Sequence, residues 1–389
     1  MNHVIRQDIE EMLTSPMVDW SHFRDKTVLV TGAYGMLASY MVYPLLLLNE
    51  QDPTFNCRVL ALGRNRRRME ERFGDWLGKP YFVPVYEDAA TMTEPTGPVD
   101  YIIHAASPTN PRSYLTDPSA VIAANVSATE SLLKMALRKN TTGFLFVSSG
   151  EVYGVLQKDV IEEEDGGTVT MNDPRNVYAL SKRLGELLTK SYAGKRADPS
   201  TTTVGANPAA AGEVLDDRTP DAAGALNDNK VELPENPCGL RTGIVRPSHT
   251  YGPTMDLQHD GRVFADFVAD AVAGRDIVMT GDGLASRAFI YASDAVLGYY
   301  TVLLKGENGA AYNVTNNDGI RRIRDLAECI AAMAPTPVKA VFGTPDAAYK
   351  ENANKKASIR SIDRLLSLGW RPVITPEEGF ARTIRSFLP

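Results

Sequence analysis

A short apolar strand, Val28 to Val30, runs directly into Thr31-Gly32-Ala33-Tyr34-Gly35-Met36-Leu37-Ala38, and a helical stretch from Ser39 to Leu48 follows. Few folds accommodate this opening. Small residues between a strand and a helix let the backbone approach a pyrophosphate, and the helix N-terminus favours its negative charge. A tight turn with no ligand is the competing reading, but the strand before and the helix after favour dinucleotide binding. Gly32, Tyr34, Gly35, Met36 and Leu37 are therefore candidate cofactor contacts.

Further strand candidates recur at Arg58 to Leu62, Tyr81 to Val85, Tyr101 to His104, Gly143 to Ser148 and Gly239 to Arg246. Helical stretches such as Ser119 to Arg138 and Tyr178 to Tyr192 separate them. Alternating β and α at this spacing predicts an α/β fold, a doubly wound parallel sheet with helices on both faces. Residues 1–26 read as an amphipathic helical extension and 27–192 as the dinucleotide-binding domain. The segment 193–238, rich in Gly, Pro, Ala, Asn, Asp and Thr, reads as a disordered or surface insertion. Residues 239–389 supply the last core strands and a smaller C-terminal substrate lobe, with helices expected at Ile323 to Met333 and Pro376 to Phe387.

Forty-one basic against forty-eight acidic residues leave a net charge of −7, which repels a phosphate backbone, so no nucleic-acid partner is expected. No apolar run approaches the roughly 20 residues that span a bilayer, so no membrane partner is expected either. Cys57, Cys238 and Cys329 are odd in number and without CxxC spacing, which predicts no disulfide framework and a cytoplasmic location. His249, His259, Asp256 and Asp260 are irregularly spaced for metal ligands, and none is expected.

Folds of this kind that prefer NAD place an acid at the end of the second strand. Here that place reads Leu62-Gly63-Arg64-Asn65-Arg66-Arg67-Arg68. Arg64 and Arg66 can grip a 2′-phosphate and favour NADP, or start a solvated helix; the cofactor is NAD with NADP left open.

Tyr178-Ala179-Leu180-Ser181-Lys182, preceded by Ser148-Ser149, carries the strongest chemical signal. On a helix, i and i+4 share a face, so the Lys182 ammonium is placed to lower the Tyr178 pKa while Ser149 shares the hydrogen bond to a substrate oxygen. This is acid-base equipment for hydride transfer at a carbinol carbon.

At these residues the chain resembles the extended short-chain dehydrogenase/reductase family, whose members bind NAD(P) in a Rossmann-type sheet and modify nucleotide sugars. It looks most like UDP-glucuronate decarboxylases, through Ala106-Ser107-Pro108-Thr109-Asn110-Pro111-Arg112-Ser113-Tyr114, Glu151-Val152-Tyr153-Gly154, Pro174-Arg175, Asp260-Gly261-Arg262-Val263 and Ser286-Arg287-Ala288-Phe289. The resemblance implies that Tyr178, Lys182, Ser149 and Glu151 are catalytic. It places Arg64, Ala105, Ala106 and Asn125 at the cofactor together with Tyr178 and Lys182. Ser107, Pro108, Tyr114, Arg175, His249, Arg262 and Arg287 fall to the nucleotide sugar, Arg262 and Arg287 in segments that contact the diphosphate. A homodimer built from the two helices at 119–138 and 178–192 is also implied.

The departures are specific. Gly150 stands where decarboxylases have a second hydroxyl and where 4,6-dehydratases carry an acid. His249 and Thr254 replace an asparagine and an arginine, and the Arg-Lys-Pro segment that supplies a substrate-facing arginine in some relatives reads Lys355-Lys356-Ala357. Decarboxylation is the expected reaction; a 4-epimerase, a 4,6-dehydratase, and a nucleotide-sugar-binding protein that has lost its chemistry are the alternatives.

Overall fold

The computed structural model describes residues 1–195, 239–258, 260–343 and 359–388. Nearly all of the expected insertion, together with His259 and Lys355-Lys356-Ala357, lies outside the described residues.

Helix α1 (His3–Thr14) is capped by Asn2, whose side chain accepts from the Val4 N–H at 2.8 Å. The chain then alternates as expected: β1 (Thr27–Thr31), α2 (Met36–Gln51), β2 (Arg58–Leu62), α3 (Arg66–Phe73), β3 (Phe82–Val85) and β4 (Tyr101–His104). After α4 (Pro111–Thr116) comes one long helix in three parts. These are α5 (Pro118–Ile122), a π-helical turn at Ala123–Ser127, and α6 (Ala128–Arg138). Strand β5 (Gly143–Val147), α7 (Val177–Ser191) and β7 (Arg241–Pro247) complete the expected series, with the short β6 (Val160–Ile161) between β5 and α7 in addition.

The remaining elements are β8 (His249–Tyr251), α8 (Val263–Val272), β9 (Ile277–Met279), β10 (Ser286–Tyr291), α9 (Ala292–Lys305), β11 (Ala311–Val314), β12 (Ile320–Arg322), α10 (Ile323–Ala332), β13 (Ala340–Phe342), β14 (Ile359–Arg360), α11 (Asp363–Ser367) and α12 (Pro376–Ser386). Sequence periodicity located α10 and α12 but not α8, α9 or α11. Helix α9 is buried from Ala292 to Leu303 without interruption, so it carries no polar stripe for periodicity to detect.

Seven parallel strands form the main sheet in the order β3-β2-β1-β4-β5-β7-β11. Both faces are covered, and alternate residues of β1 enter different cores. Val28 and Val30 join α2 and α9, while Leu29 joins Leu60, Ile102, Leu132 and Leu133. The helix from Pro118 to Arg138 is long and apolar enough by composition to cross a bilayer, but its apolar side is occupied by this second core. Leu132, Leu133 and Met135 of this helix are buried in that core.

The strand order reverses between β1 and β4, so their carboxyl ends open a crevice. A three-stranded sheet, β12-β10-β8, and the β13-β9 pair build the second lobe around Phe264, Phe289 and Phe380. The β14-β6 pair bridges back to the main sheet.

Helix α1 is part of this core. Asp8 is fully buried and accepts from Tyr40 Oη at 2.7 Å, Tyr291 Oη at 2.6 Å and Arg382 Nη1 at 2.8 Å. Arg382, on α12, also reaches Glu11 and Glu378, each at 2.6 Å. The two ends of the chain are thus locked through one guanidinium. Removing a partner leaves a buried charge unmatched, so Arg382→Ala should lower the unfolding free energy by about 3 kcal/mol. Urea denaturation measures this, and a loss below about 1 kcal/mol would show that the network does not hold the termini.

Candidate active site

The glycine turn is positioned by a buried relay at the ends of β1 and β4. Thr31 Oγ1 accepts from the Ala105 and Ala106 N–H groups at 3.1 and 3.0 Å and lies 2.8 Å from His104 Nδ1. His104 Nε2 lies 3.0 Å from the Ala124 carbonyl, which can only accept, so Nε2 carries the proton and Thr31 donates to Nδ1. Burial pushes His104 down to about 3, which keeps it neutral. Gly32, at φ +66°, lies so near that a Cβ would meet Ala106 Cα at 2.9 Å. Only glycine permits both the conformation and the approach.

A nicotinamide dinucleotide fits these residues. The α2 N-terminus begins at Gly35 with no side-chain cap. Ser107 Oγ and Asn125 Oδ1 are buried with no partner among the described residues. Gly32, Gly35, Met36 and Leu37 can hold the pyrophosphate, with Ala105 and Ala106 forming the opposite wall. Tyr34 lies across the end of β2, where a Cβ on Gly63 would meet its ring at 2.5 Å. Asn125 also acts on the catalytic helix: its Nδ2 donates to Ser181 Oγ at 3.0 Å, and Ser181 donates to the Tyr178 carbonyl. It does so from the π-helical turn, a distortion frequent at functional sites.

Helix α7 carries Tyr178 and Lys182 into the crevice, and the pair Glu186–Arg246 fixes the helix on the sheet. Arg246 Nε and Nη2 donate to Glu186 at 2.9 and 2.6 Å, and Ser148 Oγ donates to the same carboxylate at 2.5 Å. Of the two serines, Ser148 serves this anchor and Ser149 hydrogen-bonds Tyr178. Tyr114 stacks on Tyr178, with ring centroids 4.9 Å apart and 10° between planes.

The electrostatics differ from the sequence expectation. Burial pushes Tyr178 up to about 12; the Ser149 hydrogen bond lowers it, Glu151 raises it and Arg262 lowers it, and Lys182 is not among the causes. Lys182 Nζ donates to the Val147 carbonyl at 2.7 Å, and burial pulls it down to about 7 against the charge of Glu186. The i, i+4 spacing places both groups on one face, but the ammonium is held by β5 instead of by the phenol.

Glu151 is exposed, in the 3-10 turn Gly150–Tyr153 that follows Ser149. Its charge acts on Tyr178 and Tyr114. Arg262 is forked onto Asp260, donates to the Thr250 carbonyl at 3.0 Å and reaches Met36 at the glycine turn. Arg287 Nη1 donates to the Ser286 carbonyl at 2.8 Å. His249 is packed beside Phe264 and Phe289; burial, then Arg287, Arg360 and Arg262, hold it down at about 3. Arg175 is exposed and forked onto Asp173. Arg64 pairs with Asp88 at 3.3 Å, and Arg66 pairs with Glu70 while lying over the Tyr86 ring. Among the described residues no cluster of three His, Cys, Asp or Glu side chains is placed to bind a metal.

Sequence reasoning missed His104, Glu186, Arg246 and Arg360. His104 ends a strand and reads as a core residue. Arg360 follows the altered Lys355-Lys356-Ala357 segment by three positions, and only the β14-β6 pairing shows where it lies.

Lys182 gives a signed test. Its folded pKa of about 7 lies below the usual 10.5, so between these values the unfolded chain binds the extra proton. Its contribution to stability should rise with pH across that window and be lost as pH falls to about 7. Denaturation of the protein and of Lys182→Met across the window measures the difference. A gap that does not change with pH would show that Lys182 is not held neutral.

The chain matches the NAD dependent epimerase/dehydratase family over residues 28–225 and 225–315. It is 26% identical to UDP-glucuronic acid decarboxylase 1 of Xenopus tropicalis, covering 98% of this chain and 77% of the relative. It is 27% identical to UDP-glucuronic acid decarboxylase 6 of Arabidopsis thaliana, covering 94% and 90%. Its fold is similar to that of a UDP-glucose 4-epimerase from Thermotoga maritima solved with UDP-glucose, with TM-score 0.68, 17% identity and coverage of 93% and 98%. The glycine turn, the Tyr178-Lys182 helix and these matches agree that the chain belongs to the NAD dependent epimerase/dehydratase family.

Proposed function

We propose that the chain decarboxylates UDP-glucuronate to a UDP-pentose, with NAD held in the crevice and reused in each turnover. The observation that carries this reading is at position 150. Position 150 is glycine, with the Arg360 guanidinium in the space a side chain would take, so the acid that a 4,6-dehydratase uses to expel a hydroxyl is missing. Ser149, Tyr178 and Glu151 remain, which suits oxidation followed by carbon–carbon cleavage. The names of the relatives support the same substrate. NAD is favoured over NADP because Arg64 and Arg66 are both matched by acids.

When bound, the cofactor accepts a hydride from sugar C4 and later returns it. The residues supply the proton chemistry. Tyr178 would take the 4-hydroxyl proton while Ser149 holds the oxygen; ionisation of the phenol is favoured by the positive charge of the bound oxidised cofactor. The 4-ketone then stands β to the carboxylate, so the C5–C6 bond breaks, CO₂ leaves and its electron pair stays at C5. Glu151 serves the proton that C5 acquires, and Tyr178 returns its proton to O4. Net proton uptake is one, and no net oxidation occurs. Tyr114, stacked on Tyr178, keeps water from one face of the phenol ring.

Incubation with UDP-glucuronate should give a product lighter by one CO₂, read by mass spectrometry. Binding without turnover would overturn the enzyme reading. Tyr178→Phe should abolish cofactor reduction while changing nucleotide-sugar affinity little. Glu151→Gln should reduce the bound cofactor and stall, so that nicotinamide absorbance accumulates. If Glu151→Gln turns over at the wild-type rate, Glu151 is structural and 4-epimerisation is the better reading.

A homodimer is part of this proposal. Leu184 and Leu187 on α7 are 46% and 63% exposed, and Ile122 at the end of the neighbouring α5 is 46% exposed. A second copy of the same face is the self-complementary cover that such a patch requires. Light scattering at micromolar concentration should report twice the chain mass, and Leu187→Glu should halve it. A wild-type monomer would end the dimer proposal.

A further inference from the structure

The seat of Arg360 has a chemical consequence. Strand β14 is fixed on both sides: Ile359 N–H donates to the Asp159 carbonyl at 3.0 Å, Ser361 N–H to the Ile161 carbonyl at 2.9 Å, and Asn317 Nδ2 to the Arg360 carbonyl at 2.8 Å. The side chain leaves this strand, passes the Tyr153 ring at 5.9 Å and ends against Gly150, where any Cβ would overlap Nη1, Cζ and Nη2. That places a guanidinium beside Ser149 and Glu151, the residues that flank the reacting sugar.

Tyr153 and Glu151 act to raise the Arg360 pKa, while burial, the larger effect, and Arg246 lower it. Arg246 is matched by Glu186 and Arg262 by Asp260, but among the described residues neither Arg360 nor Arg287 forms a salt bridge. His249, between them, is neutral. Arg360 is half-buried, and a guanidinium partly withdrawn from water without a carboxylate is best completed by an anion. A neutral hexose offers no such anion, whereas a uronic acid brings a carboxylate on the carbon next to the site of oxidation.

We infer that Arg360, seated in the space left by Gly150, is the specificity residue that recognises the C6 carboxylate of a nucleotide-linked uronic acid. The planar fork of a guanidinium matches a carboxylate through two hydrogen bonds. The glycine and the arginine are therefore one device: Gly150 gives up a side chain so that the charge can reach the sugar. The inference rests on the proposed decarboxylation for its choice of substrate, but its test does not require turnover.

The test is calorimetric binding of UDP-glucuronate and UDP-glucose to the NAD-loaded protein, to Arg360→Gln and to Gly150→Ser, with UDP as control. Wild type should prefer UDP-glucuronate. Arg360→Gln should weaken UDP-glucuronate by about tenfold to a hundredfold, the range for a lost charged hydrogen bond, and change UDP-glucose and UDP less than about twofold. Gly150→Ser, which pushes the guanidinium from its seat, should show the same selective loss and guards against a folding defect in the first variant. Equal losses for both sugars, or none, would overturn the inference even if wild type releases CO₂. A selective loss without CO₂ release would uphold the carboxylate site and leave decarboxylation itself refuted.

Discussion

The ion pair between Glu186 and Arg246 is buried on both sides and stands where α7, β7 and the end of β5 meet. Glu186 lies two turns along α7 from Tyr178, and Arg246 is the next-to-last residue of β7. The same guanidinium donates to Tyr153 Oη at 3.0 Å and to the Glu163 carbonyl at 2.6 Å, and Glu163 Oε1 accepts from the Asn313 N–H at 2.9 Å. A pair this desolvated is weak support for stability, because its attraction must first offset the loss of water. Its geometric effect is stronger: it sets α7, the strand ends and the segment leading to β6 in one relation, and β6 in turn carries β14. Tyr178, Ser149 and Arg360 come from three distant parts of the chain and share one reference point.

Local pattern made part of this legible. The strand-turn-helix at Val28 to Leu48 and the Tyr178–Lys182 spacing are short-range signals, and the structure places them at the reversal of strand order that a dinucleotide crevice requires. The parallel sheet followed from the alternation of apolar runs. Beyond that, the information is long-range. Helix α9 is buried all round, its few polar residues such as Asp294 included, so its burial beneath the sheet has no exposed polar face to read. The relay from Thr31 to His104 to Ala124 joins the end of β1, the end of β4 and a π-turn that no propensity announces. Lys182 was correctly placed on the face of Tyr178, but whether its ammonium meets the phenol or the Val147 carbonyl depends on β5, which spacing alone does not contain.

Position 150 shows the same limit in functional form. In the sequence Gly150 is a lost hydroxyl, and the altered Lys355-Lys356-Ala357 segment is a lost arginine. In the fold, the first loss opens the seat that Arg360 occupies. In the proposed reading, two departures from the decarboxylase pattern form one compensating arrangement, in which the Arg360 charge would meet the sugar from a neighbouring strand. The proposed chemistry divides the labour: Ser149 and Tyr178 would act at O4, while Glu151 stands at the exposed edge.

The central claim is that one site removes a hydride from sugar C4 and gives the same hydride back. Conversion of UDP-glucuronate carrying deuterium at C4, followed by proton nuclear magnetic resonance of the product, tests it most directly. The account predicts a UDP-pentose that retains the deuterium at C4, because the reduced cofactor stays in the crevice between the two half-reactions. A product with protium at C4, or unchanged substrate recovered after prolonged incubation, would contradict it.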